Sequence, residues 1–130
     1  MTSRPLPTPS KISQPFWDSC RDGKMKLQRC GDCGVYAYYP VYVCPECASR
    51  KLEWTVVSGN GKIHTYTVAP RSSFDIQGPL IVALVELDEG AMMVSNIVTQ
   101  APDKLQIGTK LRVRYEKMSD EITLPMFEPA

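Results

Sequence analysis

The chain has 130 residues and a formal net charge of +1, from 15 basic and 14 acidic side chains. This length suits one domain or two very small ones. The near balance of charge weighs against nucleic acid as a partner, because such proteins neutralise phosphates with a clearly basic surface. The longest apolar run, Leu80 to Val85, is too short to cross a bilayer. The first residues lack the apolar core of a signal peptide, so a cytoplasmic location is expected.

Residues 1–13 are rich in Pro, Ser and Thr, which predicts a flexible arm. Ser13 is placed to cap a short helix over residues 14–23, with Pro15 in its first turn and Gly23 at its end.

Within this helix Phe16 and Cys20 are four residues apart and share a face, and Trp17 lies beside them. A helix of this length is marginal in water. It is therefore expected to dock on its own domain or on another chain.

Four of the five cysteines form two Cys-x-x-Cys pairs, and ten residues separate the pairs Cys30–Cys33 and Cys44–Cys47. This is the spacing of a zinc ribbon, which predicts such a unit over residues 24–50. An odd cysteine count without an export signal argues against disulfides. Four thiolates complete a tetrahedral shell, so the metal is expected to be structural. Zinc is favoured because no redox partner site is evident, but four thiolates also suit iron.

From residue 51 to residue 130 the pattern is that of β-strands joined by turns. No helical segment of βαβ length intervenes, so the sheet is predicted to be antiparallel. A small barrel of five or six strands removes exposed edges, and an OB-fold is the natural candidate. The predicted strands cover residues 52–57, 62–70, 79–88, 91–99 and 109–118, with a short last one near 121–127, and a further strand leads into the first cysteine pair over residues 24–30.

The strand over residues 109–118 alternates between an apolar and a basic face. Its basic face carries Lys110, Arg112 and Arg114, which are candidates to contact the phosphates of coenzyme A or an acidic partner. A solvated basic face is the alternative for each of them.

A catalytic set is not evident in the sequence. His64 is the single histidine and lies within a predicted strand, and no Gly-x-Ser-x-Gly motif is present. Cys20 is expected to be buried rather than nucleophilic. The remaining candidates, which do not assemble into a known arrangement, are Ser72, Ser73, Asp75, Glu86, Asp88 and Glu89.

Several segments together resemble a known family: "PFWDSCRDGKMKLQRCGDCG", "CPEC", "GNGKIHTYTV", "PLIVALVELDEG", "IGTKLRVRYE" and "ITLPMFEP". The chain is similar to the rubredoxin-like zinc-ribbon plus OB-fold family, a former domain-of-unknown-function family associated with acyl-CoA enzymes. The resemblance covers residues 14–129. It implies an N-terminal helix, a zinc ribbon with ligands Cys30, Cys33, Cys44 and Cys47, and a C-terminal OB barrel.

The resemblance also implies a function without catalytic residues of its own. Members of the family are partners of thiolase-like enzymes, which include thiolases, acyltransferases and the retro-aldolases of steroid side-chain breakdown. Others are fused or bound to MaoC-type hydratases. They bridge subunits and help to enclose the CoA thioester. No hydratase domain accompanies these 130 residues, so a partner on a separate chain is expected.

The leading hypothesis is a non-catalytic auxiliary subunit of a thiolase-like acyl-CoA enzyme. Phe16 and Trp17 are candidate interface anchors, because aromatic side chains are enriched at interfaces, although packing on the barrel is an equal alternative. Deleting residues 1–23 is expected to abolish partner binding and leave a folded zinc protein. A single-stranded nucleic-acid module and an iron-containing electron carrier are the competing hypotheses.

Overall fold

A computed structural model describes residues 6–69 and 80–130 of the chain. These ranges contain one α-helix, α1 (Gln14–Arg21), and a short 3-10 turn, Pro102–Lys104. Their strands are β1 (Lys26–Cys30), β2 (Tyr36–Ala37), β3 (Leu52–Val56), β4 (Asn60–Ala69), β5 (Leu80–Leu87), β6 (Met92–Asn96), β7 (Lys110–Lys117) and β8 (Thr123–Pro129). The prediction of a mainly β chain with a short N-terminal helix is confirmed.

The first sheet has three antiparallel strands in the order β2-β1-β3 and carries the cysteine pairs at one end. In its register Lys26 lies opposite Val56, and Cys30 lies opposite Leu52. The sequence pattern places β3 with the barrel strands, whereas in the structure β3 hydrogen-bonds to β1. An isolated alternating strand does not reveal its neighbour, since pairing depends on residues far away in the chain.

The second sheet has five antiparallel strands in the order β6-β5-β4-β7-β8. It curls until its two outer strands meet, where a parallel bridge joins Ile97 to Phe127 and the N–H of Val98 donates to the carbonyl of Phe127 at 2.8 Å. The strands thus form a nearly closed barrel with the connectivity of an OB-fold, as predicted. The central strand β5 is buried or half-buried along its whole length, as its apolar sequence indicates.

A β-bulge at His64 interrupts the regular alternation of side chains along β4. The register against β5 shifts between Ile63 and Thr65. Ile63 is therefore buried and Tyr66 is half-buried, although residues three apart in a regular strand lie on opposite faces. A bulge inserts one extra residue, so that every later side chain in the strand changes face. The hydroxyl of Tyr66 then donates to the carbonyl of Leu105 at 2.8 Å.

Helix α1 lies between the two sheets and packs on β1, β7 and β8. Phe16 and Cys20 have no exposed surface, and they share one hydrophobic cluster with Met25 and Leu27 of the three-stranded unit and with the barrel side chains. The ribbon therefore has no separate apolar core. Ser13 precedes the helix as expected, but its hydroxyl pairs with Ser10 instead of a helical N–H. None of the helices in the described ranges is long and apolar enough to span a bilayer.

Candidate metal centre and surrounding surfaces

The four paired cysteines converge on one point. The sulfur atoms of Cys30, Cys33, Cys44 and Cys47 all lie within 4.8 Å of one another. The Sγ atoms of Cys30 and Cys47 are 3.5 Å apart, as are those of Cys33 and Cys44. Four sulfurs placed 2.3 Å from a common ion lie about 3.8 Å apart in a tetrahedron, so the spacing fits a four-thiolate metal ion.

The two cysteine pairs are held by equivalent backbone turns. In the first, the N–H of Gly34 donates to the carbonyl of Cys30 at 2.9 Å, and in the second the N–H of Ala48 donates to the carbonyl of Cys44 at 2.8 Å. The residue after each second cysteine has a positive φ, 78° at Gly34 and 62° at Ala48. Glycine adopts this left-handed conformation without strain, whereas in the second turn an alanine adopts it.

Backbone donors lie close to two of the sulfurs, and at Cys30 they favour the thiolate form that a metal requires. The N–H of Cys33 lies 3.4 Å from Cys30 Sγ, and the N–H of Glu46 lies 3.4 Å from Cys44 Sγ. Hydrogen bonding from the backbone of Cys33 is the largest influence on Cys30 and lowers the pKa of its thiol to about 6, against the opposing effect of burial. At Cys33 and Cys47 the backbone hydrogen bonds to sulfur are outweighed by burial and by the neighbouring thiols, and the pKa of each thiol is raised. Metal binding therefore has to displace protons from these two ligands.

The arrangement offers no open coordination position. Cys30 and Cys44 are buried, whereas Cys33 and Cys47 are exposed at the tip of the ribbon. Because all four positions of a tetrahedral ion are taken by sulfur, substrate or water has no place to bind. The donor set therefore fits a structural metal.

Gln28 fastens the loop between the two cysteine pairs to β1. Its amide donates to the carbonyl of Val41 at 3.0 Å and accepts from the N–H of Val41 at 2.7 Å. Gln28 is only 6% exposed, so both hydrogen bonds are shielded from water. This pair of hydrogen bonds could not be predicted from the sequence, because a glutamine in a strand is normally expected on the exposed face.

Phe16 and Trp17, the predicted interface anchors, both lie in the interior of this chain. Their ring centroids are 4.9 Å apart in an edge-to-face contact, and Tyr38 of the ribbon lies 5.6 Å from Phe16. Phe16 has no exposed surface and Trp17 is 7% exposed. In the free chain these rings therefore join the helix to the ribbon and the barrel.

The basic side chains Lys110, Arg112 and Arg114 are exposed on β7, as the alternation predicted. Two of them are partly neutralised: Arg112 forms a 2.8 Å ion pair with Glu128, and Arg114 contacts Glu116 as well as Glu128. Within the described ranges no ion pair involves Lys110. Of the three basic side chains on this face, it is therefore the one whose charge is not offset by a carboxylate.

The remaining catalytic candidates do not converge. His64 is exposed, and its Nδ1 lies 3.8 Å from Glu86, whose other oxygen pairs with Lys62. Glu89 accepts a hydrogen bond from the N–H of Ser58 at 2.7 Å, which is a structural role. Burial raises the pKa of the Cys20 thiol to about 12, so this sulfur is not a nucleophile at neutral pH. Ser72, Ser73 and Asp75 lie outside the described residues.

A groove of about 340 Å³, which the sequence does not predict, lies at the junction of helix, ribbon and barrel. It is assembled from short pieces of six segments, which no local pattern brings together. Its lining is Pro7, Trp17, Tyr38, Leu80, Met93, Val94, Ser95, Asn96, Leu124, Pro125 and Met126.

The four-thiolate ribbon and the nearly closed barrel together define a zinc-ribbon and OB-fold protein. Two sequence models match consecutive parts of the chain: the rubredoxin-like zinc ribbon domain of ChsH2 over residues 17–53, and the C-terminal OB-fold domain of ChsH2 over residues 54–116. The chain therefore belongs to the ChsH2/DUF35 family.

Relatives and a solved structure agree with this membership. A probable enoyl-CoA hydratase alpha subunit of Thermomonospora curvata is 34% identical over 98% of this chain, which spans only 40% of that protein. A DUF35 domain-containing scaffold protein of Methanothermobacter thermautotrophicus is 38% identical over 72% of either chain. A chain of the Ltp2–ChsH2(DUF35) aldolase structure is 31% identical and superposes with a TM-score of 0.85, covering 95% of this chain and 98% of that one.

Proposed function

We propose that this protein is a non-catalytic auxiliary subunit of a thiolase-like acyl-CoA enzyme, whose partner it stabilises. The observation that carries the proposal is the likeness to the chain in the Ltp2–ChsH2(DUF35) aldolase, with a TM-score of 0.85 over 98% of that chain. The match therefore extends over nearly the whole of that chain. The scaffold protein of M. thermautotrophicus supports the same reading, since it is a relative at 38% identity.

The chemistry of the described residues supports a role without catalysis. The thiolates are arranged as a closed shell. The exposed His64 has a carboxylate beside it but no nucleophile among its described contacts. A polypeptide of this kind contributes to a reaction by holding the enzyme that performs it.

We assign zinc to the four-cysteine site, with Cys30, Cys33, Cys44 and Cys47 as its ligands. The family description is a zinc ribbon, and the tetrahedral sulfur geometry is the one that structural zinc takes. The ion folds a segment that has little apolar core of its own. An iron-loaded protein would be red in its oxidised form, so the colour of the purified protein distinguishes the two ions.

The surface that meets the partner is proposed to include the exposed tip of the ribbon. Tyr42 is 77% exposed and Tyr39 is 45% exposed, and Val43 lies beside them in the chain. Exposed tyrosines are favourable interface anchors because they offer large apolar area and a polar hydroxyl. Phe16 and Trp17 remain predicted interface residues, but their burial means that they act from beneath the surface.

The basic face of β7 is proposed to meet the phosphates of coenzyme A or an acidic patch on the partner. Lys110 is the residue of choice, since Arg112 and Arg114 already have carboxylate partners. An ammonium group at the rim of an interface acts mainly on the association rate and its salt dependence.

A hydratase partner is the second candidate, because the relative in T. curvata is named a probable enoyl-CoA hydratase alpha subunit. This chain matches 40% of that protein, so the name of the relative describes more than the matched part. The two candidates predict different proteins in the same experiment.

The experiment is an affinity purification of the tagged 130-residue chain from its native host, with mass spectrometry and metal analysis of the eluate. A thiolase-like protein in stoichiometric amount, together with one zinc per chain, is the expected result. A hydratase in its place supports the second candidate.

Two matched variants sharpen the assignment of the interface. Tyr42→Ser removes an exposed aromatic ring at the ribbon tip and is expected to reduce recovery of the partner. Ile107→Ser removes a side chain that is 73% exposed near the start of β7 and serves as the control. Equal recovery with both variants would exclude the ribbon tip, and a chain eluting without any acyl-CoA enzyme would refute the proposed function.

A further inference from the structure

The sulfur atoms of the metal centre make two close contacts, and each contact joins the first cysteine turn to the second. The Sγ atoms of Cys30 and Cys47 are 3.5 Å apart, and those of Cys33 and Cys44 are also 3.5 Å apart. We call these two contacts the cross-turn pairs. A disulfide requires a sulfur separation of about 2.05 Å, so that side-chain rotations of modest size would bring each pair to bonding distance.

Each cross-turn pair combines an exposed cysteine with a buried one. Cys33 and Cys47 are exposed, whereas their partners Cys44 and Cys30 are only 2% and 1% exposed. The thiolate is the form of cysteine that attacks an oxidant, and a metal ligand is held in that form. In each pair the exposed thiolate is therefore accessible to a dissolved oxidant, and the buried sulfur lies in contact with it.

The fifth cysteine does not take part in this chemistry. Cys20 has no exposed surface and lies in the hydrophobic cluster that the helix shares with the barrel. An oxidant dissolved in water does not reach such a sulfur. Oxidation of the folded chain is therefore confined to four cysteines, all of which have a partner.

We propose that the metal centre is redox-sensitive, and that hydrogen peroxide exchanges its ion for two disulfides, one between Cys30 and Cys47 and one between Cys33 and Cys44. The proposal goes beyond the auxiliary role and does not depend on it. It rests on the sulfur contacts between the two turns and on the exposure of one cysteine in each pair.

The exchange proceeds in two steps for each pair. The exposed thiolate attacks one oxygen of hydrogen peroxide and the O–O bond breaks, which gives a sulfenic acid and a hydroxide ion. The buried thiolate then attacks the sulfenic sulfur and the S–O bond breaks, which gives the disulfide and a second hydroxide ion. Two thiolates have lost one electron each and one peroxide has been reduced, while buffer protons convert the hydroxide ions to water. Because a disulfide sulfur is uncharged, the chain no longer binds a divalent cation at this place.

Pairing across the turns has a consequence for the ribbon. A bound ion joins the first cysteine turn to the second, and the two proposed disulfides join the same two turns. The ribbon is therefore expected to stay ordered when its zinc is lost by oxidation. Disulfides within each Cys-x-x-Cys turn would leave the two turns unconnected, as they are in the chelated, reduced protein.

The test is peroxide oxidation of the zinc-loaded 130-residue chain, with a chromogenic zinc indicator in the solution. The thiols that remain are counted after denaturation. The expected result is release of one zinc per chain together with a fall from five free thiols to one, which is Cys20. Cys20→Ala is the matched control, because it is expected to release zinc at the same rate and to end with no free thiol.

Proteolysis of the oxidised chain identifies the pairing. One acidic residue lies inside each turn, Asp32 in the first and Glu46 in the second, and four tyrosines lie between the turns. Cleavage at these residues separates all four cysteines from one another, except where a disulfide joins them. Mass spectrometry without reduction is expected to find the two cross-turn pairs. Peptides joined within one turn, or cysteines oxidised to sulfinic acid, would overturn the proposal.

Cys33→Ser provides an independent check, because it leaves one cross-turn pair and one unpaired ligand. With one equivalent of peroxide, Cys30 and Cys47 are expected to form a disulfide, and Cys44 is expected to stay reduced. Pairing within the second turn would instead join Cys44 to Cys47 and leave Cys30 reduced. That result would refute the exchange, and it can be read even if the variant binds zinc weakly.

Thermal unfolding measures the effect on the ribbon. The oxidised, zinc-free chain is expected to unfold at a higher temperature than the chelated, reduced chain, because its disulfides still join the two turns. Reduction with a phosphine followed by addition of zinc is expected to restore the five thiols and the original midpoint. Equal midpoints for the oxidised and the chelated chain, or release of zinc without loss of thiols, would contradict the proposal.

The outcome is independent of the purification that tests the proposed function. A chain that recovers a thiolase-like partner but keeps its zinc in peroxide retains the auxiliary role and loses the redox-sensitive site. A chain that exchanges its zinc for the two disulfides without recovering any partner supports the redox-sensitive site and refutes the auxiliary role.

Discussion

The hydroxyl of Tyr115 connects the barrel to the ribbon through one hydrogen bond. It accepts the backbone N–H of Met25 at 2.8 Å, next to a side chain with no exposed surface. Tyr115→Phe leaves this N–H without a partner and is expected to lower the free energy of unfolding by about 1–3 kcal/mol. Urea titration at pH 7 measures the change.

Tyr42→Phe is the control for that substitution, because its ring is 77% exposed. Removing a solvated hydroxyl is expected to change the free energy of unfolding by no more than about 0.5 kcal/mol. Equal unfolding midpoints for the two variants would show that the contact with Met25 contributes nothing to stability.

The buried thiol of Cys20 makes the stability of the protein depend on alkaline pH. Burial raises its pKa from 9.0 to about 12. Between these values the unfolded chain releases the proton and the folded chain retains it, so unfolding is favoured as the pH rises. The contribution of this group is complete below pH 9 and declines by about 1.4 kcal/mol per pH unit towards pH 12.

Cys20→Ala isolates this effect from other groups that titrate at high pH. The loss of stability between pH 8 and pH 10.5, measured by urea titration, is expected to be smaller in Cys20→Ala than in the wild type. Parallel pH profiles for the two proteins would refute the assignment. The metal ligands are unchanged in both, which makes the difference specific to this thiol.

At the scale of elements, helix α1 is part of the core rather than an appendage. Phe16 has no exposed surface and contacts rings from both the helix and the ribbon. Phe16→Ala is expected to lower the free energy of unfolding by about 3–5 kcal/mol, through lost burial and the cavity that remains. Gln14→Ala, at an exposed position of the same helix, is the control, and it is expected to cost less than about 0.5 kcal/mol.

This packing changes the meaning of an N-terminal deletion. The sequence predicts that a chain without residues 1–23 remains a folded zinc protein, but this deletion removes Phe16, Trp17 and Cys20 from the shared cluster. The deletion therefore tests stability as much as partner binding, so that point substitutions on the exposed surface are the better probe. If Phe16→Ala unfolds at the same urea concentration as Gln14→Ala, the helix does not contribute to the core.

Several elements could be predicted because their signals are local. The two Cys-x-x-Cys pairs, the alternation of β7 and the apolar β5 each depend on neighbouring residues, and the structure has them at the predicted places. The metal cluster follows from the same spacing, since each pair is one tight turn.

Other features depend on contacts between distant parts of the chain. The pairing of β3 with β1, the two-residue strand β2 and the bulge at His64 are set by neighbouring strands and not by their own sequence. The groove requires Trp17, Tyr38 and Met126 to meet across more than a hundred positions. The hydrophobic periodicity and the composition of a segment carry no information about such long-range contacts.

At the scale of the whole molecule, internal ion pairs reduce the attraction of the basic face for nucleic acid. Glu128 and Glu116 lie against Arg112 and Arg114, and the net charge is +1. A fluorescent single-stranded oligonucleotide at low salt is therefore expected to bind with a Kd above about 10⁻⁴ M, the weak end of non-specific binding. The double variant Glu116→Gln with Glu128→Gln frees the arginines and is expected to bind more tightly. Micromolar binding by the wild type would revive the nucleic-acid hypothesis.

The metal is expected to stabilise the barrel as well as the ribbon. Met25 and Leu27 lie shortly before Cys30 in the chain and belong to the same cluster as the barrel core. Ordering of the ribbon by the ion therefore also fixes side chains on which the barrel packs. An ion that binds only the folded state raises the free energy of unfolding. The increase grows with the logarithm of the ratio between the concentration of the free ion and its Kd.

Removal of the metal by a chelator at pH 7 is accordingly expected to lower the thermal midpoint of the whole chain in one transition, and not to melt the ribbon alone. Metal analysis before and after should show one zinc per chain and then none, with recovery when zinc is restored. Cys47→Ser, which removes a ligand, is expected to behave like the chelated protein, whereas Cys20→Ala keeps its zinc. Two separate transitions in the metal-free protein would mean that the barrel folds independently of the ribbon, despite the core that they share.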